Sequence, residues 1–372
     1  MKKVRINIVS PGRFHVCDLA RELDKSGWNV RFYSFVPDKR AVSFGLPKKC
    51  NKSVLVFIAP FLLLQKLINK QWIKQFRIYM QDIITGFYMR KCDVLIAMSG
   101  DFTNTVQRAK KEGSVIILER GSKHIIVQKR ILDSIPSLEG TCPVPRENVK
   151  RELRDYQNAD YIAIATQHVY KSFIEQNFDV KKLFINPYGV DLSMFSFMPN
   201  VQKEYDVIMV GGWSWRKGCD LIVDAIKKTN YTFLHVGGIV DLPFPSEKQF
   251  THVPPVDQNQ LVKYYNCAKI FILPSREEGL AMVQAQAIAC NLPLVGSRDS
   301  GAMDLKEIVD RPEFITILKE YTPKALVEAM HIAMDMRKEL KEELYAGDGI
   351  KKLTWEAYGK RYSAFLHKIL NV

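Results

Sequence analysis

From Lys269 to Val295 the sequence passes through an apolar strand-like run (Lys269–Leu273), a polar turn (Pro274-Ser275-Arg276-Glu277-Glu278-Gly279), an alanine-rich helical stretch (Leu280–Cys290) and a second apolar run (Leu292–Val295). Two apolar strands joined through a helix form a parallel crossover, and a parallel sheet must be covered on both faces. This pattern therefore restricts the fold to a layered α/β architecture. It also sets an acidic residue, Glu278, in the mouth of a strand-to-helix turn. The first N–H groups of a helix point outward there and make a ready site for an anion, such as a phosphorylated ligand. Glu277, its neighbour, is expected in solvent.

The rest of the chain repeats the alternation twice. Val4–Val9, Val30–Phe35, Val54–Ile58, Asp93–Met98, Val115–Leu118 and Tyr161–Ala165 read as strands, with Phe14–Ser26, Phe102–Lys111 and Asn148–Asn158 among the helices between them. A turn-rich segment, Asn186-Pro187-Tyr188-Gly189-Val190-Asp191, then marks a boundary. A second series follows: strands Asp206–Val210, Thr232–Val236, Lys269–Leu273, Leu292–Val295 and Phe314–Ile317, and helices Leu221–Lys228, Gln258–Cys267 and Leu280–Cys290. Val240–Pro255, with Pro243, Pro245, Pro254 and Pro255, reads as an irregular loop. A charged helical region runs from Thr322-Pro323 to Lys341, and a last helix spans Trp355–Leu370. The expected domains are 1–190, 191–350 and a terminal helix within 351–372. The 372 residues, 47% of them hydrophobic, suffice for two cores.

Val210-Gly211-Gly212-Trp213-Ser214-Trp215-Arg216-Lys217-Gly218 joins a strand to a helix and sets two cations beside open glycine backbone, as a diphosphate leaving group requires. Together with the Pro-Ser…Glu278-Gly279 segment, it resembles the retaining glycosyltransferases of GT-B architecture, the glycosyltransferase family 4 (group 1) enzymes. That family carries Val-Gly-Arg-x-x-x-x-Lys-Gly at the first place and, at the second, a Glu followed eight positions later by another Glu. Lys217 and Glu278 match. The family's Arg falls at Gly212, so Arg216 is expected in its role, and the second Glu is replaced by Gln286. The resemblance implies two Rossmann-like doubly wound domains facing a central cleft, with the terminal helix returning to the first domain.

It also implies roles for particular residues. Glu278 would lie against the sugar, Lys217 and Arg216 would hold the phosphates, and Gly211, Gly212, Gly279, Leu280, Ala281 and Met282 would line the donor site. Gln286 would replace a carboxylate that clamps ribose hydroxyls, with weaker acceptor bonds. In the first half, Ser10-Pro11-Gly12-Arg13-Phe14-His15 corresponds to the family's loop against donor and acceptor: Gly12 at the donor, Arg13 and His15 at the acceptor. Glu119-Arg120-Gly121-Ser122-Lys123-His124 follows a strand at its carboxyl end, where open α/β sheets bind ligands. Glu119 and Arg120 are therefore expected at the reacting sugar and His124 at the acceptor, the alternative being a capped helix start.

Net charge is +14, and residues 1–195 carry all of it, with 32 Lys+Arg against 18 Asp+Glu. That half is expected to meet an anionic partner such as a membrane surface or acidic glycan. Within it, Pro60–Lys91 mixes large apolar residues with Lys66, Lys70 and Lys74 at helical spacing, the pattern of an interfacial helix or of a core helix with one wet face. The seven cysteines lie far apart and form no metal or disulfide pattern, and the N-terminal apolar run is too short and interrupted for a signal peptide; both fit the cytosol, at or near the inner face of a membrane. No Asp-x-Asp occurs, so metal-independent transfer from a UDP- or GDP-linked sugar to a glycan or lipid-linked acceptor is expected, without cofactor and without nucleic acid. Two alternatives stand beside it: a nucleotide-sugar epimerase on the same scaffold and a non-catalytic nucleotide-sugar-binding relic.

Overall fold

The computed structural model describes residues 4–68, 70–340 and 343–372, with Gln71 described by its backbone only. Seven strands, β1 (Arg5–Val9), β2 (Asn29–Ser34), β3 (Asn51–Ser53), β4 (Val94–Met98), β5 (Val115–Arg120), β6 (Tyr161–Ile164) and β7 (Leu183–Ile185), form one sheet in the order β3-β2-β1-β4-β5-β6-β7. Six more, β8 (Tyr205–Val210), β9 (Phe233–Val236), β10 (Phe250–Val253), β11 (Ala268–Leu273), β12 (Leu294–Gly296) and β13 (Ile315–Ile317), form a second in the order β10-β9-β8-β11-β12-β13. The pairings are parallel in both, as with β1 on β4 and β8 on β11. In each sheet the chain winds outward from its first strand and then restarts on that strand's other side. The winding reverses between β1 and β4 and between β8 and β11, which opens a crevice at the strands' carboxyl ends.

The strands are apolar on both faces because helices cover both. Ile8 and Val9, adjacent in β1, are both fully buried, as are Ile270, Phe271, Ile272 and Leu273 in β11. Two expectations are corrected. Val54–Ile58 is not a strand: the polar Asn51–Ser53 makes the ladder, and the chain enters a helix at Leu55 with the Ser53 hydroxyl accepting from Leu55 N–H at 3.2 Å. Within Val240–Pro255, residues Phe250–Val253 form β10, since both paired prolines lie outside the ladder.

The terminal helix, Trp355–Leu370, crosses back onto the first half and packs on the helix His15–Lys25. Trp28 donates its indole N–H to Ser363 Oγ at 2.8 Å and lies 4.7 Å from the His367 ring. Arg361 Nε donates to Asn186 Oδ1 at 2.7 Å, tying this helix to the boundary segment.

The two sheets also meet through loops at their carboxyl ends. A Cβ on Gly279 would collide with the carbonyl oxygen of Gly121, so the halves touch backbone to backbone there. Asp299 pairs with Lys123 and the Gln167 N–H donates to Asp304 Oδ1 at 2.6 Å, holding the approach from either side. Gly279→Ala is expected to destabilise the chain by about 1–3 kcal/mol through this overpacking. Calorimetry checks it; an unchanged melting temperature would show that the approach is not kept in solution.

Candidate active site

The reversal points of the two sheets face one cleft of about 1770 Å³, lined from the first half by Arg13, His15 and Asp18 and from the second by Gly211, Lys217 and Glu278. In the second half two loops build its floor. The loop after β8 turns through Gly218 at φ 72°, where a Cβ would strike the Pro274 carbonyl of the loop after β11. Arg276 joins them: its N–H donates to Arg216 O at 2.9 Å, and its guanidinium bonds Trp215 O at 2.7 Å and grips Asp220 with two bonds of 2.6 Å.

This junction brings Lys217 Nζ to 2.6 Å from Glu278 Oε2, and Arg216 Nη1 to 3.3 Å from the same oxygen. Burial pushes the Glu278 carboxyl up, but the Lys217 ammonium and then the Arg216 guanidinium outweigh it and hold it at about 2. Glu277 is not in solvent, contrary to expectation. It is fully buried, accepts from Lys123 N–H at 3.3 Å and from Gln128 Nε2 at 3.1 Å, and lies 3.4 Å from Arg216. Two cations thus meet two carboxylates. The basic pair is compensated rather than bare, and an arriving diphosphate must compete with Glu278 for Lys217.

Leu280, Ala281 and Met282 line the cleft where the helix Met282–Ala289 begins. The first intrahelical bond runs from Gln284 N–H to Ala281 O, so the preceding amides are free of that ladder. About one turn in, Gln286 also lines the cleft. Its Oε1 accepts from the Tyr265 hydroxyl at 2.9 Å, so that acceptor atom is already engaged. Gln286→Glu would supply a charged acceptor to a ribose there, and nucleoside diphosphate is expected to bind roughly fivefold tighter. Titration calorimetry decides: equal or weaker binding means that no ribose lies at this position.

Of the donor-side glycines, Gly211 lines the cleft beside the Lys217 side chain, whereas Gly212 faces Val240, Gly12 faces the Phe35 ring and Gly279 faces the Gly121 carbonyl; none of these three is in the lining. In the first half, Arg13 stacks at 3.8 Å on Phe44 and donates across the cleft to Gln258 Oε1 at 3.0 Å. His15 lies against the Tyr188 ring at 4.2 Å, and its Nε2 is 2.9 Å from Glu119 Oε2.

The polar cluster after β5 mostly lies elsewhere. Glu119 is buried behind His15 and does not itself line the cleft. Arg120, the next residue in the strand, points to the opposite side of the sheet, where it bonds Glu152 Oε1 at 2.7 Å and Gln128 Oε1 at 2.7 Å. His124 caps the helix Ile125–Asp133, accepting from Ile126 N–H at 3.4 Å, between the Tyr156 and Phe173 rings. Burial first, and then Arg120, holds its imidazole down at about 4, so it is a neutral cap away from the cavity. The start of the terminal helix, at Trp355 and Glu356, was not anticipated in the lining. The expected return of that helix to the first domain was the available signal.

The doubly wound halves and the cleft they share have the GT-B architecture, with the Lys217–Glu278 contact inside that cleft. Residues 204–335 match the family described as Glycosyl transferases group 1. An uncharacterized glycosyltransferase of Methanocaldococcus jannaschii is 25% identical over 160 residues, 40% of this chain and 44% of that protein. The matched stretches span about half the length of the curated relatives. Among solved structures, sucrose-phosphate synthase from Thermosynechococcus elongatus superposes with a TM-score of 0.73 at 14% identity, covering 99% of each chain. Anabaena HepE in complex with UDP and glucose gives 0.65 at 12% identity, over 98% of this chain and 100% of that one. These likenesses concern the fold. Among the described residues no helix is long and apolar enough to cross a membrane, and no cluster of three His, Cys, Asp or Glu side chains could hold a metal ion.

Proposed function

We propose that the protein transfers a hexose from a nucleotide-sugar donor to a glycan or lipid-linked acceptor, with retention of anomeric configuration and without a metal ion. The observation that carries this reading is the Lys217–Glu278 contact on the cleft floor, at the reversal point of the second sheet and beside the opening amides of the helix Met282–Ala289, with Arg216, itself outside the lining, 3.3 Å from Glu278. HepE, with the same fold, is described in complex with UDP-glucose, which favours UDP as the donor nucleotide here.

The diphosphate would displace Glu278 from Lys217, take the ammonium and the Arg216 guanidinium as its counter-charges, and rest against the amides of Leu280–Met282. Glu278, released, would lie beside the sugar, accepting from its hydroxyls and stabilising positive charge at the anomeric carbon. The C1–O bond to phosphate breaks, the acceptor oxygen bonds C1 on the same face, and the acceptor's proton passes to the departing phosphate oxygen. The nucleoside diphosphate then leaves. Cytoplasmic work, at or near the inner membrane face, fits such a donor.

A thermal-shift screen of nucleoside diphosphates and their sugars tests the reading. UDP at about 100 times its dissociation constant should add about 2.7 kcal/mol. Stabilisation by no nucleotide would remove the proposal. Donor binding with no turnover toward any acceptor would favour the relic reading, to which Gln286, with its Oε1 already taken by Tyr265, lends some support.

A further inference from the structure

The helices Leu55–Leu67 and Gln71–Tyr88 pack on each other as a hairpin, with Phe61 and Phe76 in ring contact at 5.7 Å. Its inner side is satisfied by the first half: Gln81 Nε2 donates to Ser10 O at 3.2 Å, and Asp82 is buried, accepting from the Asn104 and Thr105 N–H groups, both at 2.9 Å. Its outer side is apolar. Val56 (81% exposed), Leu63 and Leu67 (82%) recur at helical spacing on one helix, and Trp72, Tyr79 and Phe87 (89%) on the other. Large exposed apolar surface of this kind marks an interaction site.

The charge around it identifies the partner. Between Val54 and Lys91 the chain carries Lys66, Lys70, Lys74, Arg77, Arg90 and Lys91 against a single acid, and that acid, Asp82, is turned inward. Of the six cations only Arg77 is buried, held by Gln65 and Gln81. Protein–protein interface cores are depleted of lysine, so a second copy of the chain is a poor fit. Apolar side chains flanked by lysines, with Trp and Tyr among them, suit the headgroup–acyl boundary of a lipid bilayer.

We propose that this hairpin docks the protein on an anionic membrane surface, its two apolar stripes entering the interface and its lysines pairing with lipid phosphates. The hairpin follows the carboxyl end of β3 and touches the Ser10 loop after β1, so it sits on the edge of the sheet that opens into the cleft. Docking would bring the cleft mouth close to the lipid. The proposal stands on this surface and not on sugar transfer, so it can fail or hold independently of that reading.

The test is co-sedimentation of the full chain with vesicles of phosphatidylcholine alone or mixed with phosphatidylglycerol, together with light scattering in the absence of lipid. Binding is expected only to the anionic vesicles and is expected to weaken with salt. The Leu67→Gln/Trp72→Gln/Phe87→Gln variant should lose it. Lys66→Gln/Lys70→Gln/Lys74→Gln should bind roughly 100-fold more weakly, about fivefold per lysine. All six positions are exposed, so folding is expected to survive, and circular dichroism confirms it. No binding to anionic vesicles, wild-type binding by both variants, or a dimer that the apolar substitutions dissociate would overturn the proposal.

Discussion

Lys217→Ala is expected to lower the rate of sugar transfer by about 10²–10³-fold, the loss typical of removing one preorganised donor from a site of developing negative charge. The ammonium lies 2.6 Å from Glu278 on the floor of the cleft and is almost buried, with 11% of its side chain exposed, so water cannot replace it well. Its neighbour Arg216 does not substitute, because Glu277 O at 2.8 Å and the Glu277 carboxylate at 3.4 Å already engage the same guanidinium nitrogen. The loss should fall on kcat more than on KM, since charge on the leaving phosphate grows as the bond breaks. Steady-state kinetics with the donor found in the thermal-shift screen measures it. A change of less than fivefold would mean that the diphosphate is held elsewhere.

Glu278→Gln is expected to move two quantities in opposite directions. Transfer should fall by about 10²-fold or more, because no charge remains beside the anomeric carbon. Affinity for the free nucleoside diphosphate should rise by roughly tenfold, because Lys217 no longer has to leave a carboxylate to meet it. A purely structural role for Glu278 would weaken both together. The variant should also melt lower than the wild type at neutral pH, since Lys217 is left buried without its partner. Bound UDP should restore part of that loss. The difference depends on pH in a definite sense: a carboxyl held down at about 2 contributes stability that is fully present above its ordinary value of 4.5 and is lost as the pH falls through 2. The gap in melting temperature between wild type and variant should therefore close on acidification from 4.5 toward 2. A gap constant across that range would contradict the ion pair.

The parallel sheets were legible because strands buried on both faces read as nearly continuous apolar runs, as in Val94–Met98 and residues 270–273. Val54–Ile58 gives the same signal for a different reason. Its apolar residues continue into a helix whose outer face is left open, and nothing in the run distinguishes an exposed apolar helix from a buried strand. The family resemblance placed the turns carrying Lys217 and Glu278 at one site, but it gave them separate partners, phosphate and sugar, and not each other. What was not legible was how the charges compensate. Glu277 and Glu278 differ only by position in a turn, yet Arg216 lies close to both carboxylates and draws both in. Nor could the sequence divide the polar cluster after β5. Alternation along a strand sends Glu119 toward His15 and Arg120 away from it, so two neighbours expected at one site serve opposite sides of the sheet.

The most direct measurement is a crystal structure of the wild-type protein with UDP bound. The diphosphate is expected in the cleft against the amides of Leu280–Met282, with the Lys217 ammonium transferred from Glu278 to a phosphate oxygen and the carboxylate freed toward the sugar position. UDP bound away from these groups, with the Lys217–Glu278 pair still closed at 2.6 Å, would contradict that expectation.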